Sequence, residues 1–149
     1  KVEISVDEPI LKLPEIRPLL HGFPEVISAE IPAYLLLEIT AEKLRALLQS
    51  KEKLQQRGWG ATRVCRDYFD LRHLLKIDNI NSSELKILLK QKCEIRNVSY
   101  GSFQDFITRE LLQTARTEWN QQLSPFIPDA PSAEEVLAEV QQLIFTILS

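Results

Sequence analysis

At 149 residues and 44% hydrophobic composition, the chain is long enough for one domain with a substantial core. Its net charge of −3 excludes the global basic field on which nucleic-acid binding usually rests, while leaving local basic clusters open. No run approaches the roughly 18–20 consecutive apolar residues of a membrane-spanning helix, no basic-then-apolar leader opens the chain, and Cys65 and Cys93 lack any metal-ligand spacing, so a soluble cytoplasmic protein with two buried thiols is expected.

Lys1 to Val6 alternates Val2, Ile4 and Val6 with Lys1, Glu3 and Ser5, the period of a strand with one buried face, which puts Glu3 on the other face. The following stretch carries Pro9, Pro14, Pro18, Pro24 and Pro32, which argues against long helices. An extended connection is expected there, with a short helical turn at Ile16–Leu20 and a second strand near Glu30–Leu35.

From Leu36 the period becomes helical. Leu37, Ala41, Leu44 and Leu48 form an apolar stripe, with Glu38, Glu42, Arg45 and Gln49 gathered opposite it. That helix is expected to fade through the polar run Ser50–Arg57 before Gly58-Trp59-Gly60. A second helix spans about Thr62 to Ile77 on Val64, Tyr68, Leu71 and Leu75. Asn81 with Glu84 three residues on resembles a capping box opening a third, Ser82 to about Glu94. Phe103–Leu123 reads as the longest helix, and Ser132 with Glu135 opens the last, Ala133 to about Leu148.

Two ionised residues stand where these helices should be apolar. Lys43 falls at the border of the first stripe, between Leu36, Ile39 and Leu47, and Asp67 lies one turn before Leu71 with Asp70 beside it. A lysine at such an edge commonly extends its amine into water. A short carboxylate cannot, and an unpaired buried charge costs several kcal/mol, so Asp67 needs a partner. A structural salt bridge to Arg63, Arg66 or Lys43 satisfies it; so does a polar cleft in which the lysine binds an anion such as a phosphate and the acid orients it. His21 and His73 are isolated. No GxSxG, P-loop, GxGxxG or HExxH pattern is present, which removes the hydrolase, P-loop and dinucleotide-binding readings.

EITAEKLRALLQ followed by RDYFDLRHLL resembles the paired signature of the AbiEii/AbiGii toxin family of nucleotidyltransferases, in which an AEKLRAL helix precedes an RDxxDLxxLL helix by a short link. KVEIS is similar to the strand carrying the third acidic residue of their polymerase-β-like core. The Trp119 region and PSAEEVLAEV resemble the final helices. The resemblance implies that Lys43 contacts nucleotide phosphates, that Asp67 and Asp70 support catalysis, and that Glu3 stands for the third metal-organising carboxylate. It implies an NTP substrate with Mg²⁺, an acceptor such as tRNA, and an antitoxin partner. The family's Gly-Ser or Gly-Gly turn and its DxD pair have no counterpart here, since none of Gly22, Gly58, Gly60 and Gly101 leads into a suitable DxD.

The expected architecture is α+β, with one or two strands left from a mixed sheet and then a bundle of about five helices, the C-terminal portion of a polymerase-β-like nucleotidyltransferase. Residues 1–36 are expected as a strand and proline-rich connection from the catalytic core, and residues 37–149 as a helical domain carrying both motifs. The expected function is NMP transfer of the toxin–antitoxin or abortive-infection type, inactive in this truncated form. The competing reading is a non-catalytic helical domain that binds an antitoxin. DNA-sequence recognition is disfavoured, because no helix shows a basic recognition face.

Overall fold

The computed structural model describes residues 9–20, 22, 29–77, 80–127 and 129–149. The expected strand at Lys1–Val6, with Glu3, lies outside them, as does His21.

A proline stops a helix by removing a donor and by pushing the residue before it toward extended backbone. That is the fate of Arg17 before Pro18, and the short helical turn expected at Ile16–Leu20 is instead a strand. Here β1 (Glu15–Pro18) pairs antiparallel with β2 (Glu30–Ala33), in the register Glu15 opposite Ala33 and Pro18 opposite Glu30. Among the described residues both strands are sheet edges, where a missing proline N–H is tolerated.

Helix α1 runs Leu36–Arg57 and is the longest element, so the expected fading at Ser50 does not occur. Lys, Glu and Gln are good helix formers, and tertiary partners hold the last turns. Ser50 is buried, Lys51 pairs with Asp105 at 2.7 Å, and Leu54 packs on the core. Gly58 ends the helix at φ 74°, its N–H donating to the Leu54 carbonyl at 2.8 Å, a left-handed cap that a side chain would strain.

Helices α2 (Val64–Leu74), α3 (Ser82–Ile95), α4 (Arg109–Gln122) and α5 (Ala133–Leu148) complete the bundle. The two expected N-caps are in place: Asn81 accepts from the Glu84 N–H at 3.1 Å and Ser132 from the Glu135 N–H at 3.2 Å. The expected single helix Phe103–Leu123 is divided into a 3₁₀ turn, Phe103–Phe106, and α4. Local side chains make the break. Ser102 and Asp105 form a capping box on the 3₁₀ turn, Thr108 caps α4, and the buried Tyr68 hydroxyl donates to the Phe106 carbonyl at 2.6 Å.

α1 packs on α2 and α3, while α2 also packs on α4 and α5. The core is contiguous, with Leu44, Leu47, Tyr68, Leu71, Leu89, Leu111 and Val140 among its fully buried members. The stripes predicted for α1 and α2 face it, with only Leu37 left partly exposed. The thiols of Cys65 and Cys93 are buried and unbridged, and burial pushes both up to about 11. No helix of the described residues is long and apolar enough to cross a membrane.

Candidate functional site

The contact between α1 and α2 brings the two misfit charges together. Asp67 and Asp70 are three residues apart on α2 and therefore share a face. Lys43 on α1 points at that face, with its Nζ 2.8 Å from Asp67 Oδ1 and 2.7 Å from Asp70 Oδ2. Exposure grades across the three side chains, from 11% at Asp67 through 29% at Lys43 to 45% at Asp70. Asp67 is thus the inner acid and Asp70 the outer one.

One ammonium shared by two carboxylates has definite electrostatics. Burial alone would lower the Lys43 pKa, but hydrogen bonds to Asp67 and Asp70 outweigh it and hold the amine charged above the usual lysine value. Asp67 moves the other way in effect. Burial raises its pKa, and because it must share its cation with Asp70, the Lys43 bond does not fully offset that. Asp67 therefore keeps a proton more readily than an ordinary aspartate.

These groups form part of the lining of an open cleft of about 370 Å³. Arg63, Arg66 and Phe126 also line it. Arg63 holds the N-cap position of α2 in the left-handed region at φ 68°, an uncommon conformation for a residue with a Cβ. Arg66 donates from Nε to the Gln122 carbonyl at 3.1 Å, and its guanidinium lies 5.0 Å from the centre of the Phe126 ring. Among the described residues neither arginine makes an ion pair. Three cations against two carboxylates leave the lining with a net positive charge.

The structure therefore unites Lys43, Asp67 and Asp70, while Glu3 lies outside the described residues. His73 is exposed, its ring 4.9 Å from that of Phe69 and away from the charged floor. Among the described residues no group of three or more His, Cys, Asp or Glu is arranged to hold a metal ion, and the two cleft aspartates close on an ammonium instead. These residues do not fit a Mg²⁺ site.

Sequence reasoning missed two things. The place of Arg63, Arg66 and Phe126 in the cleft lining was one; Arg63 and Arg66 had a signal, since they share the first turn of α2 with Asp67, whereas Phe126 in the connection after α4 had none. The other was Glu38, expected on the solvent side of α1. It is fully buried, accepting from the Leu11 and Lys12 N–H groups at 2.8 and 3.1 Å and pairing with the equally buried Lys92 at 2.7 Å. The correction has a tertiary cause, because residues 9–12 cover that face of the helix.

The paired motifs on α1 and α2, now seen on one cleft, have a counterpart among known families. The family described as nucleotidyl transferase AbiEii toxin, type IV TA system, matches residues 1–142. The chain belongs to the AbiEii family. No curated protein and no solved structure gives a match. The AbiEii assignment, the two-stranded antiparallel sheet and the five helices that follow it agree with the α+β expectation. Membership identifies the chain as a nucleotidyltransferase toxin of a type IV toxin–antitoxin system, and such an enzyme takes an NTP substrate.

Proposed function

We propose that the cleft binds the phosphates of an NTP for transfer of its nucleoside monophosphate to an RNA acceptor such as tRNA. The observation that carries this reading is one ammonium held between two carboxylates on the floor of an open, net-positive cleft. An ammonium has three N–H donors. Two of those on Lys43 are directed at the aspartates, which leaves the third for a phosphate oxygen.

The lysine and its two acids together carry a net negative charge and would repel a phosphate. Arg63 and Arg66 reverse that sign at the cleft. Asp67 and Asp70 keep Lys43 charged and aimed, and the proton-retaining tendency of Asp67 suits it to proton handling. Glu3, matched only through the motif resemblance, takes the metal-organising role, and residues 37–149 act as the helical domain that presents both motifs. No step of this reading runs through Mg²⁺, because the described residues do not assemble its site. Because the sequence offers no counterpart of the family's DxD pair, this stretch by itself is expected to transfer no nucleotide at a measurable rate.

The test is NTP-dependent labelling of tRNA by this chain and by a version extended upstream. Robust labelling by the short chain would overturn the inactivity. Absence of labelling by an extended chain that retains a DxD motif would count against the transfer reading.

A second reading, an antitoxin-binding module with Lys43 and Asp67 merely paired, draws on a different observation. Leu13, Ile16 and Leu20 on and beside β1 are 90%, 62% and 88% exposed, an apolar surface of the kind that partners cover. Co-purification of the antitoxin with the wild-type chain but not with a Leu13→Ser/Leu20→Ser variant would favour it.

A further inference from the structure

We infer that the 3₁₀ turn Phe103–Phe106 is a clamp between α1 and α2, with Lys51, Asp105 and Tyr68 as positioning residues that set Lys43 against Asp67 and Asp70. Its functional meaning rests on the reading of Lys43 as a phosphate contact, but the clamp itself can be read out on the protein alone.

The charged groups of the cleft cannot fix their own geometry. Lys43 is partly exposed and Asp70 more so, and ion pairs that open to water hold little against the freedom of their side chains. Burial of Leu44, Leu47, Tyr68 and Leu71 draws the two helices together, but that attraction has no direction. Hydrogen bonds do, and the turn directs them at both helices.

On α1, Lys51 stands eight residues beyond Lys43, about 12 Å along the helix axis. Its Nζ donates to Asp105 Oδ1 at 2.7 Å, and both side chains are largely shielded from solvent. Asp105 is not free to swing. Its Oδ2 accepts from the Gly101 and Ser102 N–H groups at 2.6 and 3.2 Å, and the Lys51 bond with these N–H groups holds its carboxyl below the ordinary aspartate value. On α2, Tyr68 is the residue after Asp67 and is fully buried, and its hydroxyl donates to the Phe106 carbonyl at 2.6 Å. The Phe103 ring meets that of Phe145 on α5 at 5.0 Å, which anchors the turn to a third helix. Asp105 and Phe106 are adjacent. One short turn therefore ties the helix that carries Lys43 to the residue beside Asp67.

The experiment follows the Asp67 carboxyl by ¹³C NMR titration in the chain and in Lys51→Met, Asp105→Asn and Tyr68→Phe. Lys51→Arg serves as the conservative variant, and circular dichroism checks that every protein folds. Burial raises the Asp67 pKa above 3.8 and the Lys43 bond restrains that rise, so a Lys43 that draws away lets it rise further. Asp67 is expected to titrate about half a pH unit or more higher in the three variants, and near the wild-type value in Lys51→Arg. The sign separates the causes. Loss of charge alone would move Lys51→Met upward, Asp105→Asn downward and Tyr68→Phe not at all, and local unfolding would return Asp67 toward 3.8. A fluorescent NTP analogue is expected to bind the same three variants about tenfold more weakly than the wild type.

Opposite shifts in Lys51→Met and Asp105→Asn overturn the clamp, as does an Asp67 that titrates alike in all the proteins. The expected shifts with NTP affinity equal to that of the wild type overturn its role in positioning Lys43 for a phosphate. The expected shifts with no NTP binding by the wild type support the clamp between the helices while sinking the NTP reading of the floor.

Discussion

Lys92 on α3 and Glu38 on α1 meet at 2.7 Å with neither side chain exposed to solvent. Glu38 also receives the N–H groups of Leu11 and Lys12, and Lys92 also reaches Glu42 and the Pro9 carbonyl, each at 2.7 Å. This node fastens the segment before the hairpin to two helices. Removing one member strands a buried charge, which is far more costly than removing both. Lys92→Met should destabilise the chain by about 3 kcal/mol in urea unfolding, and Glu38→Gln combined with Lys92→Met should recover much of that loss. If the single and double variants lose the same stability, the pair is not coupled.

The same node sets the pH limits of stability. Burial alone would raise the Glu38 pKa, but the Lys92 bond and the two backbone N–H groups outweigh it and hold it below the ordinary 4.5. Asp105 is likewise held below 3.8 by its Lys51 bond and by the Gly101 and Ser102 N–H groups. Both contribute stability that is present above their ordinary values and lost as pH falls through the lower folded ones. Lys92 has the opposite sign: burial lowers its pKa, but Glu38 and Glu42 raise it beyond 10.5, so its contribution is full below that value and lost as pH rises through the folded one. Thermal melts across pH should therefore fall off below about 4.5, and Glu38→Gln should remove much of that acid limb.

Tyr68 bears on how the candidate site is held. Its buried hydroxyl donates to the Phe106 carbonyl and so pins the 3₁₀ turn to α2, one residue beyond Asp67. Tyr68→Phe leaves that carbonyl without its donor and should cost about 1–2 kcal/mol in denaturant unfolding. A change within error would show that the turn relaxes to find another partner.

Within the cleft, the stability effects of Lys43 and Asp67 should be unequal. Asp67→Asn removes a carboxylate whose ionisation burial already disfavours and leaves Lys43 paired with Asp70, so a change of under about 1 kcal/mol is expected. Lys43→Met strands Asp67 and should cost about 2 kcal/mol, largely restored by adding Asp67→Asn. Equal costs for the two single variants would contradict the shared-cation geometry.

Much of this was legible in the sequence, for physical reasons that also mark the limit. Helical periodicity located the five α-helices because each buries one stripe, and the caps at Asn81 and Ser132 are local chemistry. Lys43 and Asp67 stood out because a charge on an apolar face requires an answer, and each answers the other. Glu38 did not stand out. Its wheel position is ordinary for solvent, and only a segment 27 residues away in sequence turns it inward. The break at Thr108 was a contest between helix continuation and local caps, which periodicity cannot judge. Phe126 is silent for the same reason as Glu38: its ring acquires meaning only when α2 brings Arg66 against it.

The central claim is that Lys43, held by Asp67 and Asp70, is a phosphate contact. It is tested most directly by titrating the chain with a fluorescent NTP analogue beside the Lys43→Gln/Asp67→Asn double variant, which removes the lysine without stranding the inner acid. Binding by the wild type that is at least about tenfold weaker in the double variant, with unchanged thermal stability, is the predicted result, in line with the loss of a charge-assisted bond. Equal affinity in the two proteins would contradict it.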